Sequence, residues 1–451
     1  MQREHWKTQW GFIYAAVGSA VGLANIWKFP YIVGQNGGAA FVLVYLMCLM
    51  SIGFPVFVAE ILVGRLSKSN PCGAMRKLGG RPFWAGSGLL VLLTGFAVSS
   101  FYSVVAGWVI AYLFKALSGS FEMLQSPQEA AMAHTEILSS PFLTVFYHFL
   151  FMLMSLAILY GGVRKGIEKG SSFMTPLLFL LLLGLLFKGL SLSGASKGLE
   201  FLLSPDWSSL SPKAIMIALG HSFFTLSAGQ GTMITYGSYL SEKENIPSSA
   251  FWIAMADSFV SLLAAIIIFT TAFSAGIEPG SGPALIFHTL PYVFSQIPGG
   301  ELVAVFFFLL VLLAALSSQI SAMEPMIAYL MDEKKFNRPN AVCLTAFGVF
   351  ILGVPSALSS NLLSSWTIYG WSFFEWMNFI CTSVMIPLGG FLSIFLLGWF
   401  FDIQTALSHL RKGSPKIDFS YDWLKLYFYC SFKYISPILI ALVFLKVLEL
   451  I

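Results

Sequence analysis

The chain has 451 residues, 57% of them hydrophobic and 10% charged, with a formal net charge of +4 and a mean hydropathy of +0.80. That is too apolar for a soluble domain and fits an all-α polytopic membrane protein. The cysteines, Cys48, Cys72, Cys343, Cys381 and Cys430, fall in apolar segments or in loops predicted to be cytoplasmic, which argues against a disulfide framework.

Arg3 and Lys7 before an apolar run imitate the start of a signal peptide. That run holds the most unusual stretch of the chain, however, and is read as a retained first span. Eleven segments are expected to cross a bilayer, near 10–33, 40–64, 84–116, 142–160, 170–190, 213–240, 248–275, 300–331, 340–359, 372–400 and 425–450. The loop after span 2 carries Arg65, Lys68, Arg76, Lys77 and Arg81 without an acid. Arg164, Lys165 and Lys169 follow span 4, Lys334, Lys335 and Arg338 follow span 8, and Arg411, Lys412, Lys416 and Lys425 precede span 11. By contrast, the loop after span 3 carries Glu122, Glu129 and Glu136 and no Lys or Arg. The positive-inside rule therefore predicts a cytoplasmic N-terminus and an extracytoplasmic C-terminus. Two short helical pieces are expected in the outer loop at 281–298, which Pro283, Pro291 and Pro298 punctuate.

Within span 1, Gly18-Ser19-Ala20-Val21-Gly22-Leu23-Ala24-Asn25 is poor material for a lipid-facing helix. Unwound backbone at membrane depth survives only when it is buried in protein or lines a cavity. There its carbonyls can hold a cation, and the following half-helix can hold an anion at its N-terminus. Alone, the stretch reads equally well as a small-residue helix-packing face. Span 6 carries a second interruption, Phe223-Phe224-Thr225-Leu226-Ser227-Ala228-Gly229-Gln230-Gly231, five spans further on. Interrupted segments at corresponding positions of two halves point to an inverted-repeat secondary transporter with a midplane site. Spans 1–5 (10–190) and 6–10 (213–400) would be the repeats, with span 11 (425–450) an addition, in a single transporter domain over 1–451.

These residues resemble the bacterial neurotransmitter:sodium symporters, which have the leucine-transporter fold, essentially end to end. The resemblance rests on Trp6, Gly18 through Asn25, Lys28-Phe29-Pro30, Gln35-Asn36-Gly37-Gly38, Phe223 through Ser227, Ile234-Thr235-Tyr236-Gly237-Ser238-Tyr239 and Met323-Glu324-Pro325-Met326-Ile327. It implies uptake of an amino acid or related amine driven by a sodium gradient, with two Na+ sites, in a cell membrane expected to be the bacterial inner membrane. One sodium would meet the backbone of Ala20, the Asn25 amide, Thr225, Asp257 and the substrate carboxylate. The other would meet the carbonyls of Gly18, Val21 and Ala314 and the hydroxyls of Ser317 and Ser318. Neutral or singly charged oxygens of this kind suit a hard monovalent cation.

The resemblance also implies a substrate pocket. The substrate carboxylate would face the amides near Leu23 and Ala24, beside Ser19 and Ala20, with Tyr102 as its hydroxyl partner, Val98 one turn earlier and Phe224 as the outer lid. Thr225, Ser227, Gln230, Ser318 and Ala322 complete the pocket. Gln230 brings donors and an acceptor to a subsite that is commonly apolar, so a neutral amino acid with a hydrogen-bonding side chain is expected; the alternative is that Gln230 satisfies its own loop. Asp257 lies one helical turn from Ser261, where many bacterial relatives place their acid. An intramembrane carboxylate is functional by default, so Asp257 is expected both to bind sodium and to replace chloride. Glu60 matches a buried carboxylate and is expected to brace the unwound helices through water.

Arg3, Trp6, Tyr239 and Asp332 match the cytoplasmic gate. Gly166, nine residues and Pro176 match a segment that unwinds to admit water. The outer gate departs from the family pattern: Lys28 replaces the usual Arg, Asn378 the usual aspartate and His221 a frequent Gln. A looser latch of Lys28, His221 and Glu375 or Asn378 is expected. The competing readings are a proton-coupled amino-acid carrier and a non-transporting amino-acid sensor on the same fold. No HExxH, GxSxG or Walker-type motif supports an enzyme, and no basic stripe supports nucleic-acid binding. A monomer and a homodimer both remain open.

Overall fold

The computed structural model describes residues 5–276, 285–413 and 422–447, and among these the chain is helical. Among the described residues, nine continuous helices are long and apolar enough to cross a membrane, and one bent pair adds a tenth span. The bent pair is span 1, Gln9–Ala20 and Ala24–Gln35, which meet at 49°. Span 6 is the eleventh; its halves, Pro212–Thr225 and Thr232–Ser238, are each too short to cross alone.

The spans start where sequence chemistry starts them. Thr8, Ser211, Asn245 and Asn337 each accept a backbone N–H from the first turn of spans 1, 6, 7 and 9. Proline occupies the first turn of spans 3, 4, 6, 7 and 9, where its missing N–H is not needed. The break in span 6 is conformational: Ser227, Gly229 and Gly231 have φ of 52°, 83° and 80°, so the α-helix cannot continue through them. Glycine tolerates this region, and it takes two of the three positions.

Span 8 (Gly300–Asp332) runs along span 3 (Pro82–Leu117), and together they form a wall for the site. The first half of span 1 packs on spans 5, 7 and 8, and the second half of span 6 packs on span 2 (Ala39–Ser67). Span 10 (Phe373–Phe400) closes the other side against span 2. Both broken helices are thereby wrapped by protein, as unsatisfied backbone at membrane depth requires.

Two expected boundaries differ. Span 5 begins at Val163 rather than 170, because residues Val163–Glu168 form a wide π turn that runs into Lys169–Leu190. In the 281–298 loop, Leu285–Thr289 and Leu290–Ser295 form one continuous helical piece rather than two; residues 281–284 lie outside the described residues. Several short helices were not expected: Pro71–Gly79, Pro127–Ser139, Ala195–Leu203 and Ile403–Arg411.

Candidate functional site: the cavity between the two broken helices

The breaks in spans 1 and 6 face each other across a cavity of about 40 Å³. Ser19, Ala20, Leu23 and Ala24 line it from span 1, Val98 and Tyr102 from span 3, Phe224, Ser227 and Gln230 from span 6, and Ser318 and Ala322 from span 8. Sequence reading missed Gly22, Gln319 and Ile386, which also line it. A Cβ on Gly22 would lie 2.6 Å from the Ser318 hydroxyl and 3.2 Å from the Tyr102 hydroxyl, so only glycine keeps this wall open.

The Tyr102 hydroxyl accepts the Leu23 N–H at 3.3 Å, at the head of the second half of span 1. A phenol and the start of a half-helix thus share one corner, which suits a carboxylate. Ser227 donates to the Ser19 carbonyl at 2.8 Å and ties the two breaks together. Gln230 is 6% exposed, and its Oε1 has no hydrogen-bond partner. Thr225 is fully buried behind this wall.

On one side of the cavity, Thr225 donates to Asp257 Oδ2 at 2.7 Å and Asn25 Nδ2 donates to Asp257 Oδ1 at 2.6 Å. Asn25 Nδ2 also lies 2.9 Å from the Ser261 hydroxyl, while its Oδ1 accepts the Gly22 N–H at 2.9 Å. Asn25 therefore reaches the cluster through its amide nitrogen, not its oxygen. Oδ1 keeps a second lone pair beside the Gly22 N–H, which a cation could use. Ser261 is not a bystander: it joins the same cluster and back-bonds to the Asp257 carbonyl at 3.1 Å.

On the other side, the Ser318 hydroxyl lies 3.4, 3.2 and 3.3 Å from the carbonyl oxygens of Gly18, Ser19 and Val21. A single hydroxyl proton satisfies one acceptor at a time, so these oxygens converge with spare lone pairs, the donor set a monovalent cation takes. The Ser317 hydroxyl lies 3.1 Å from the Ala314 carbonyl, and the Ser317 Cβ packs against Gly18.

Beyond one end of the cavity, Trp6 Nε1 donates to the Tyr236 carbonyl at 3.1 Å, and its ring packs edge-on against Tyr236 and Tyr239. The Tyr239 hydroxyl donates to Glu324 at 2.9 Å. Glu324, fully buried, is held by both guanidinium NH groups of Arg338 at 2.9 and 2.8 Å. Asp332 accepts from the Asn70 backbone and side chain at 3.1 and 3.0 Å. Arg3 lies outside the described residues. Arg338, which the sequence suggests only as a topology charge, is the guanidinium at the centre of this network.

At the opposite end, Lys28 Nζ sits 4.5 Å from the centroid of the Phe224 ring. Asn378 lines the same outer cavity of about 210 Å³ as Lys28. Glu375 does not join Lys28. Its carboxylate caps its own helix through the Ser372 N–H and hydroxyl at 2.7 and 2.8 Å, which removes it from the expected latch. His221 is stacked on Phe29 and packed on Tyr45, and neither ring nitrogen has a hydrogen-bond partner. Glu60 braces the break in span 6 without an intermediary, accepting the Gly229 N–H at 3.0 Å and the Ser393 hydroxyl at 3.2 Å.

The sodium:neurotransmitter symporter family profile matches residues 3–134 and 142–450. The chain belongs to that family. It is 38% identical over 446 residues to the Bacillus subtilis sodium-dependent transporter YhdH, covering 98% of this chain and 97% of that protein. A Haemophilus influenzae sodium-dependent transporter is 32% identical over 456 residues, covering 99% and 98% of the two chains. The crystal structure of MhsT in complex with L-phenylalanine superposes with a TM-score of 0.89 at 40% identity, covering 99% of this chain and 100% of that one. The fold is thus the leucine-transporter fold, and the chain is a multi-pass sodium-dependent membrane transporter by family.

Proposed function

We propose that this chain symports a neutral L-amino acid with sodium into the cytoplasm by alternating access, without a need for chloride. The observation that carries this reading is the cavity itself. Two interrupted helices enclose a carboxylate-suited corner at Leu23 and Tyr102 between two oxygen clusters, one centred on Asp257 and one on Ser318. A two-sodium arrangement accounts for both clusters, and the complex of MhsT with L-phenylalanine favours an amino acid as the guest. The Trp6 end would face the cytoplasm and the Lys28 end the outside, with 10–190 and 213–400 as the repeats.

Asp257 supplies the negative charge that sodium needs beside it, so an added anion has no role there. Sodium beside Asp257 would compete with the Asn25 amide hydrogens for its carboxylate. The free Oε1 of Gln230 favours a substrate whose side chain carries a donor. The test is uptake of labelled L-amino acids into proteoliposomes, with an inward sodium gradient or with potassium in its place, in chloride and in gluconate. Sodium-dependent accumulation that is equal in chloride and gluconate supports the reading. Accumulation driven only by a pH gradient defeats it, as does saturable binding without accumulation. Gln230→Leu is expected to shift the substrate ranking toward apolar side chains, and an unchanged ranking removes Gln230 from side-chain recognition.

A further inference from the structure

The segment that joins span 9 (Arg338–Leu358) to span 10 closes on itself as a small hairpin. Ile368 and Trp371 exchange both backbone hydrogen bonds at 3.0 Å, around a two-residue turn in which Tyr369 and Gly370 have φ of 51° and 79°. Asn or Gly usually fills the first of these positions; tyrosine is the costlier choice, and what it adds is a ring at the tip. Residues 364–371 are all exposed, and Tyr369 is 93% exposed. Trp366, Ile368 and Trp371 share that exposure. From 359 to 380 the sequence has one charged residue, Glu375, and its carboxylate is held in the capping box at Ser372. A water-facing element at the same end is built differently: the helix Pro127–Ser139 carries Glu129 and Glu136. An apolar, uncharged and fully exposed loop needs something to cover it.

The short helix Phe373–Phe379 shows which way the hairpin faces. Phe374 and Asn378 line the outer cavity, and Phe374 packs on Phe101 and Trp108. Trp376 and Phe379, two and five residues on from Phe374, fall on the opposite face. There Trp371 packs on both, Tyr369 leans on Trp376, and Trp376 Nε1 donates to the Ile368 carbonyl at 2.7 Å. The hairpin is therefore fixed to the side of span 10 that turns away from the cavity. Exposed apolar residues continue from it along the membrane-crossing lengths, with Ile380 on span 10 and Phe347 and Ile351 on span 9. Among the described residues, the indole N–H groups of Trp366 and Trp371 and the Tyr369 hydroxyl donate to no protein group, which leaves them for oxygens outside the chain. Rings with an apolar body and a free polar tip are the side chains that settle at headgroup level. We propose that this hairpin is a membrane-interface anchor, with Trp366, Ile368, Tyr369 and Trp371 seated among the lipid headgroups of the leaflet at the Lys28 end. The helix Phe373–Phe379 then has one face on the outer cavity and the other held by lipid.

The experiment places a nitroxide label on the full chain through Tyr369→Cys or Trp366→Cys, with the less buried native thiols removed by Cys343→Ser and Cys430→Ser. Each protein is reconstituted one chain per phosphatidylcholine nanodisc, and relaxation by oxygen is compared with relaxation by a water-soluble nickel chelate. Thr135→Cys on the helix Pro127–Ser139 is the water reference, and Phe347→Cys on span 9 is the lipid reference. The oxygen-to-chelate ratio at 369 and 366 is expected to exceed that at 135 at least about threefold and to stay below that at 347, as for groups at headgroup level. Two labelled positions keep the test open if one substitution disturbs the turn. Ratios at both positions equal to the one at 135 place the hairpin in water and overturn the proposal. A raised ratio that appears only in proteoliposomes, together with dipolar broadening between labels, assigns the surface to a second copy of the chain and also overturns it.

Discussion

At the Trp6 end of the path, an indole N–H, a phenol and a guanidinium are all committed to partners, whereas at the Lys28 end an ammonium rests on a phenyl ring and a buried imidazole has no partner. The second end holds cavities of about 210 and 420 Å³. The contrast is one of directional against non-directional chemistry. Bidentate ion pairs and charged hydrogen bonds fix a geometry, so the Trp6 end opens only when several bonds break together. Ring stacking and cation–π contact tolerate sliding, so the Lys28 end admits ligand at small expense.

The largest expected effect comes from the buried Arg338–Glu324 pair. Arg338→Leu leaves a fully buried carboxylate unpaired and is expected to cost about 3–5 kcal/mol. The loss should appear as a lower unfolding temperature and faster amide exchange in residues 5–12. Lys28→Met at the other end removes one cation–π contact, worth about 0.5–1 kcal/mol. If the two variants destabilise equally, the contrast between the ends is broken.

A smaller effect isolates how the start of span 1 is held. Glu168, at the end of the π turn in span 5, accepts the Lys7 N–H at 3.0 Å and the Thr8 hydroxyl at 3.3 Å. A Cβ on Gly11 would fall inside the Glu168 carboxylate. Gly11→Ala and Glu168→Ala are therefore expected to release the same segment, each at about 2 kcal/mol, the scale of hydrogen bonds to a charged group. Because both act on one set of bonds, the double variant should lose little more than either single one. Exchange at the Lys7 amide reads this directly, and additive losses would mean that Gly11 serves some other contact.

Glu168 also shows where the sequence stops being legible. The spans and both interruptions are readable because apolar length and runs of Gly and Ser are local signals. The oxygen cluster around Asp257 is legible only through the family resemblance, which is what places Asn25, Thr225 and Asp257 together. Glu168 and Arg338 look in sequence like two more loop charges, and only packing across spans turns them into ties. Glu375 failed for the opposite reason. Its own Ser372, three residues away, captures it in a capping box, a local interaction that outcompetes the distant ammonium of Lys28. The orientation of the Asn25 amide is likewise set by a three-dimensional contact, the Gly22 N–H, that no residue pattern announces.

The last expected effect concerns pH at the Lys28 end. His134, in the helix Pro127–Ser139, is stacked on Phe287 and packed on His288, and its Nδ1 has no partner. Burial, and secondarily the neighbouring His288, push its pKa down to about 3. The unfolded chain then binds a proton that the folded chain refuses, so stability falls as pH drops below the unfolded value near 6.5. Between pH 7 and pH 5 the loss is at most about 2 kcal/mol: the contribution is present in full above pH 6.5 and drains away below it, at the loop helices of this end. His134→Phe keeps the stack and removes the proton site. Its unfolding temperature should therefore fall less than that of the parent chain between pH 7 and pH 5, while exchange at the Trp6 end should be alike in both. An equal fall in both proteins would place the acid sensitivity outside His134, and softening at Trp6 would mean that the two ends are coupled rather than separately built.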